Sequence, residues 1–255
     1  MSSKEGTTDH FNKLMPLCME YCNCVRTLYQ LKTANDEEIH KIHKMIKDKM
    51  IDTKILTPER VILIISQVII YNNRFFPSYW KLFKLIYEEY HPKHIKKITA
   101  IFDYFVYKEY VFVFDAKNKE KIKNYNYSMN VHEENPIWRA IMNDDNESFI
   151  GFIENKSFDI NETISSKFFP EEFVYSYIDL CCYYGAVNCF KLLITKFNSP
   201  ITESCLKLSF LGGNPEIMSE CLKKIKIYQD FMEFAMISHN IDFITFLMNE
   251  RSLKI

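Results

Sequence analysis

Glycine is scarce, with 5 residues in a chain of 255, where average usage of about 7% would supply several times as many. Gly-rich phosphate loops and β-rich folds with many tight turns are therefore unlikely architectures. Arginine is scarce too, at 5 of the 32 basic residues, and arginine is the usual reader of phosphate and guanine. No excess of one charge exists, the formal net charge being -1, so bulk charge favours neither a nucleic-acid binder nor a polyanion mimic. Long apolar runs are missing. The longest, Val61 to Ile70, is interrupted by Ser66 and Gln67 and falls short of the roughly 20 residues that span a bilayer. The first ten residues hold no apolar stretch of a secretory leader. An intracellular protein with no membrane partner is expected.

The 8 cysteines, at 18, 22, 24, 181, 182, 189, 205 and 221, show no zinc spacing, and Cys18-x3-Cys22-x-Cys24 is not a C-x2-C knuckle. Reduced structural thiols are expected, with no metal and no cofactor. Catalytic signatures are lacking as well: there is no G-x-S-x-G, no H-E-x-x-H and no Walker loop. Cys181-Cys182 has no named His or acid partner, so the chain is not expected to be an enzyme. His40-x2-His43 and His91-x2-His94 lack further ligands and read as solvated or half-buried histidines.

What is present is a globular balance, 47% hydrophobic and 25% charged, with aromatics at 15%, so a heavily aromatic core is expected. The apolar period is that of helices. Thr57-Pro58-Glu59 is an N-cap with Pro at N1, predicting a helix over Glu59–Tyr71. Ser78 opens a second over Tyr79–Tyr90, ended by His91-Pro92. Ile95, Ile98, Ile101, Phe102 and Phe105 predict a third over Lys93–Tyr107. Tyr110 to Phe114 reads as a short strand or a helix end. The Lys/Asn-rich segment from Ala116 to Asn135 separates a helical part, 1–134, of charge +4 from a second part, 135–255, of charge -5.

The second part carries a repeat. Four fifteen-residue windows align without gaps: Arg139–Ile153, Leu180–Ile194, Leu208–Leu222 and Phe234–Met248, with starts 41, 28 and 26 residues apart. Their second slot is small, at Ala140, Cys181, Ser209 and Ala235, which lets helices approach closely. The sixth and seventh slots, Asp144-Asp145, Gly185-Ala186, Gly213-Asn214 and His239-Asn240, hold residues suited to a tight turn. Slots ten, eleven, fourteen and fifteen are apolar except Ser148 and line one helix face. Each window predicts a helical hairpin that must stack on its neighbours to bury that face.

The window LCCYYGAVNCFKLLI resembles the L-A-A-x-x-G-H-x-x-I-V-x-x-L-L core of an ankyrin repeat. The stretch from Tyr175 onward resembles the divergent ankyrin-repeat proteins expanded in trichomonads and similar protists, which carry a non-repeat helical region before the array. It departs from them in its short period and in lacking T-P-L-H. The resemblance implies an all-α chain: a helical N-terminal region followed by a short solenoid of about four stacked hairpins. It also implies a concave groove formed by the slots before each turn. The candidate partner-binding residues are then Met142, Asn143, Tyr183, Tyr184, Leu211, Ile237 and Ser238, with Gly212 beside Leu211. That groove faces either a protein partner or the chain's own N-terminal part. The last helix, ringed by Phe243, Ile244, Phe246, Leu247 and Met248, leaves the array uncapped, so it continues past Ile255 or self-associates.

The expected role is a non-catalytic protein–protein interaction module or scaffold. The alternative is a binder of nucleic acid or anionic surfaces through Lys93–Lys123, which holds eight lysines and four acids but no arginine. A solvated face is the plainer account of that stretch, and nucleic acid is not the expected partner.

Overall fold

A computed structural model describes residues 3–170 and 174–251. The expectation that the array continues past Ile255 lies outside these residues. The described chain is mostly helical, with thirteen α-helices and one two-stranded ladder. No helix among the described residues is long and apolar enough to cross a membrane. The chain divides into two compact units: Met1–Ile69 with Phe75–Tyr127, and Ile70–Arg74 with Ser128–Ile255. The boundary expected at 134/135 thus falls at 127/128. The second unit also takes in a five-residue segment from far upstream, which no local pattern announces.

The first unit contains α1 (Ser3–Tyr29), α2 (Asp36–Ile46), α3 (Pro58–Val68), α4 (Phe76–Tyr90) and α5 (Ala100–Tyr110). Asn35 caps α2 by accepting from the Glu37 and Glu38 N–H groups at 2.8 and 3.2 Å. Thr57 caps α3 through the Arg60 N–H, with Pro58 in the first turn. Helix α4 packs on α2 and α3. Its rings also make an aromatic core with α5: Phe76–Phe105 centroids are 4.8 Å apart, Phe83–Phe102 4.9 Å and Trp80–Phe102 5.3 Å.

Three helix expectations change. Helix α3 stops at Val68, short of Tyr71, and α4 begins two residues before Ser78, with Pro77 in its first turn. The helix expected over Lys93–Tyr107 begins only at Ala100. His91 is left-handed, and the segment after it is irregular while burying Pro92, Ile95 and Ile98 at every third position. That spacing satisfies a helical template, but the backbone is held by the neighbouring segment instead. The Ile95 N–H donates to Phe114 O at 3.4 Å, and the Lys97 N–H to the Asp115 carboxylate at 2.9 Å. Tyr110 ends α5, and Val111 to Phe114 form no strand.

The second unit contains α6 (Pro136–Asn143), α7 (Asn146–Ile153), β1 (Thr163–Ile164), β2 (Tyr175–Ser176), α8 (Tyr177–Tyr184), α9 (Val187–Phe197), α10 (Glu203–Gly212), α11 (Pro215–Lys224), α12 (Phe231–Ile237) and α13 (Ile241–Arg251). The antiparallel ladder pairs Thr163 with Ser176 and Ile164 with Tyr175; the sequence pattern did not indicate it. Each repeat window spans one helix–turn–helix pair, and the turn slots coincide with the breaks between helices. First helices meet in order, α6 on α8, α8 on α10 and α10 on α12, while second helices follow with α7 on α9 and α9 on α11. The small slot is buried in every window, at Ala140, Cys181, Ser209 and Ala235.

The turns also join one pair to the next. Asp144, left-handed at φ 52, accepts from the Asn188 and Cys189 N–H groups at 3.0 and 3.1 Å. The carboxylate of one pair thereby caps α9 of the following pair. At the ends of α8 and α10, backbone meets backbone. A Cβ on Gly212 would lie 2.1 Å from Cys182 O and 2.7 Å from Gly185 N, and one on Gly185 would lie 2.6 Å from Gly212 O. Gly212 is therefore a close-packing position rather than part of a groove lining.

Replacing Gly212 with Ala is expected to cost about 3 kcal/mol or more in urea unfolding, because backbone must move to admit the methyl group. Gly151→Ala is the control: nothing lies within 4 Å of its added Cβ, so it is expected to stabilise α7 by about 0.5–1 kcal/mol. Equal unfolding midpoints for the two variants would remove the claim that α8 and α10 touch through their backbones.

Candidate functional site

Helix α8 is closed at both ends by its own sequence. Ser176 and Asp179 form a capping box, Asp179 Oδ2 accepting from the Ser176 N–H at 3.1 Å. Gly185, at φ 69, ends the helix. This fixes Tyr183 and Tyr184 in the last turn. Both are buried, at 3% and 7% exposure, and neither offers a free surface. Tyr183 Oη donates to Ile70 O at 2.9 Å. Tyr184 Oη donates to Asn73 Oδ1 at 2.9 Å, and Asn73 Nδ2 donates to Phe168 O at 2.9 Å. The Arg74 guanidinium lies over the Tyr184 ring, 5.3 Å from its centroid, and donates to Tyr184 O at 2.9 Å. The tyrosine pair is thus occupied by the segment Ile70–Arg74, part of the same unit. Of the two alternatives for these rings, a protein partner or the chain's own N-terminal part, it is residues 70–74 of that part that meet them.

His132 completes the cluster. Its Nε2 lies 2.9 Å from Tyr184 Oη. Tyr184 has one hydroxyl proton and gives it to Asn73, so His132 Nε2 is the donor in that contact. Its φ is 62, a conformation that histidine adopts more readily than most side chains. Burial lowers its pKa from 6.5 to about 4, and burial also raises the Tyr184 hydroxyl well above its ordinary value. The neutral imidazole is therefore the folded form. Stability tied to it is full above pH 6.5 and is lost as pH falls through 6.5 toward 4.

The other candidate positions divide. Met142 is buried, Asn143 is exposed, and Leu211, Ile237 and Ser238 are half-buried. The Ser238 hydroxyl donates to Ala235 O at 2.7 Å. These seven residues do not make one open surface. The apolar ring expected on α13 is also divided: Phe243 and Leu247 are buried, Ile244 and Phe246 half-buried, and Ile241 and Met248 exposed at 58% and 41%.

An opening does exist at the other end of the first helices. A recess of about 130 Å³ is lined by Val174, Tyr175, Asp179, Glu203, Ser204, Lys207, Leu208 and Phe234. Val174 is 63% exposed at its edge. Both acids are already engaged: Asp179 by its capping box and by the Cys205 thiol at 3.4 Å, Glu203 by the Tyr228 hydroxyl. Among the described residues Lys207 makes no ion pair, and its ammonium stands 5.8 Å from the Phe234 ring centroid. Lys207 lies one residue before the window Leu208–Leu222, outside the repeated pattern.

Other chemistry-bearing residues are set apart. Cys181 and Cys182 are fully buried, and burial pushes both thiols well up, the reverse of an activated nucleophile. All eight cysteines are free, with Cys18 and Cys22 exposed. His43 lies on α2 at 3.7 Å from Glu89, whereas His91 and His94 lie outside any helix. Among the described residues no group of three His, Cys, Asp or Glu is placed to hold a metal ion.

Residues 197–255 match a family described as a domain of unknown function, DUF3447. No curated protein and no solved structure matches the chain.

His132→Asn, which tolerates the same left-handed backbone but cannot ionise, is expected to flatten the fall in stability that the wild type shows between pH 6.5 and 4. Tyr184→Phe is expected to cost about 1–3 kcal/mol at pH 7 by stranding Asn73 and His132. Urea midpoints across this pH range measure both. An unchanged pH dependence in His132→Asn would show that another group carries it.

Proposed function

We propose that the second unit is a short ankyrin-type stack of helical hairpins, serving as a non-catalytic protein–protein interaction scaffold. The observation that carries the reading is the ordered contact of α6, α8, α10 and α12, with a small buried residue at the same slot of each. Rigid stacked helices present side chains at low ordering cost, which suits recognition better than chemistry.

Within this reading the tyrosine end serves the scaffold's own construction, and the recess beside Lys207 receives the partner. Its apolar floor of Leu208 and Phe234 suits an apolar side chain. The ammonium, which has no ion pair among the described residues, suits a neighbouring carboxylate. A peptide segment carrying an apolar residue next to an acidic one is the ligand that meets both. Met236, Ile241 and Met248 are the exposed large apolar residues of the last pair among the described residues, and recognition is assigned to the recess before self-association.

Displayed peptide libraries selected against the full chain are expected to enrich such acidic–apolar segments. Val174→Asp and Lys207→Glu are each expected to weaken their binding at least about tenfold, the usual scale for an interface contact worth over 1 kcal/mol. Asn143→Ala is expected to leave it unchanged. Enriched peptides that bind both charge variants as tightly as wild type would place recognition elsewhere, and a library with no enrichment would sink the scaffold reading.

A further inference from the structure

The segment 91–124 of the first unit holds eight lysines and four acids, and the structure commits every one of those acids. Asp103 is buried, accepting from the Phe114 N–H at 2.8 Å, the Asp115 N–H at 3.1 Å and Asn118 Nδ2 at 2.8 Å. Asp115 accepts from the Lys97 and Lys117 N–H groups at 2.9 and 3.1 Å, so its oxygens are turned to backbone rather than to ammonium groups. Glu109 takes the Trp80 indole N–H at 2.7 Å and pairs with Lys84 at 3.5 Å. Glu120 pairs with Lys123 at 2.7 Å. Lys93, Lys96, Lys97, Lys117, Lys119 and Lys121 are all exposed, and none has an ion pair among the described residues.

The two stretches that carry these lysines lie side by side. Besides the Ile95–Phe114 and Lys97–Asp115 bonds, Asn118 Nδ2 donates to Ile98 O at 3.1 Å. One stretch buries Pro92, Ile95 and Ile98, and the other buries Phe114, Asn118 and Ile122. The lysines between those anchors are turned outward from both. Just upstream, Val111 is 76% exposed in a left-handed conformation at φ 62, a strained state for a β-branched residue. Tyr107, one turn earlier, is 48% exposed.

We propose that these paired lysine loops, with Val111 and Tyr107 at their edge, dock the protein on a bilayer surface carrying anionic headgroups. Lysines are compact, strongly hydrated charges suited to a diffuse headgroup layer, and peripheral attachment needs both a basic patch and an apolar contact. Nucleic acid fits less well. The segment contains no arginine, and the half-buried Tyr125 and Tyr127 rings just after it pack against each other and Tyr104, 5.3 to 6.2 Å apart, instead of standing open as a stacking platform. Such docking departs from the sequence-based expectation of no membrane partner, which rested on the shortness of the apolar runs; peripheral docking requires no spanning run.

The test is sedimentation of the full chain with phosphatidylcholine vesicles, with and without phosphatidylserine. Binding is expected only with phosphatidylserine, weakening as salt rises. Lys93→Gln/Lys96→Gln/Lys97→Gln is expected to lose about 100-fold in affinity. Val111→Asn, which suits a left-handed backbone, is expected to weaken binding at unchanged charge. Lys223→Gln/Lys224→Gln/Lys226→Gln in the second unit is the charge-matched control, and thermal unfolding checks that each variant folds. Absence of vesicle binding, equal binding without phosphatidylserine, or a triple variant that binds like wild type each overturns the proposal. Binding of single-stranded oligonucleotide in place of vesicles would reassign the surface to nucleic acid.

Discussion

The spacing between α8 and α10 is set by backbone against backbone, at Gly185 and Gly212. Side chains normally hold helices about 8–10 Å apart, but at this end no Cβ intervenes. The consequence runs along the unit. Once the two ends meet, Cys182, Cys205 and Cys221 fill the interior with small apolar groups rather than large ones, and all three are fully buried. Desolvation then raises the Cys182 thiol, with Cys205 and Cys221 adding to it. A thiol in that setting is a space-filling group, and its chemistry is suppressed by the packing that requires it. Two of the chain's five glycines stand at this one contact.

The turns were legible because their signal is local. Asp144, Gly185, Gly213 and His239 all have positive φ, and each was marked by a residue type that tolerates that conformation. The helix start at Thr57 was legible in the same local code of side-chain oxygen and free N–H, and Ser176 and Asn214 cap their helices by it too. The ends of helices were less legible where the next segment was irregular but still buried. Ile95 and Ile98 keep a helical spacing in a stretch that is not helical. What holds its conformation is bonding to Phe114, Asp115 and Asn118, about twenty positions downstream. Apolar period reports which residues face inward and does not by itself report the backbone that turns them.

The tyrosine pair shows the same limit from the other side. Tyr183 and Tyr184 occupy slots that the ankyrin resemblance assigns to a groove, and tyrosine is a common anchor at interfaces. Their partners are Ile70, Asn73 and Arg74, more than a hundred positions upstream. Tyr-Asn-Asn-Arg carries no cap, turn or periodic signal that ties it to the second unit. Only the sum of burial and hydrogen bonds does so: Asn73 is fully buried with its amide satisfied on both sides. A buried asparagine without such partners would be expensive. Its presence at that position therefore makes sense only in company with Tyr184 and Phe168.

Charge follows a related logic in the first unit. Counting residues suggested a mildly basic stretch, eight lysines offset by four acids. The offset is weaker than the count, because a carboxylate counts against an ammonium only where it is near and undirected. Asp103 is desolvated, which raises its pKa despite three hydrogen bonds, and those bonds, from Phe114, Asp115 and Asn118, help to close the loop pair. Asp115 is held below its ordinary value by the Lys97 and Lys117 backbone N–H groups. Both acids thus serve as loop fasteners. The carboxylates that build this surface are spent largely on backbone and on other partners, and so an electrically balanced chain exposes, on adjoining loops, six lysines with no ion pair among the described residues.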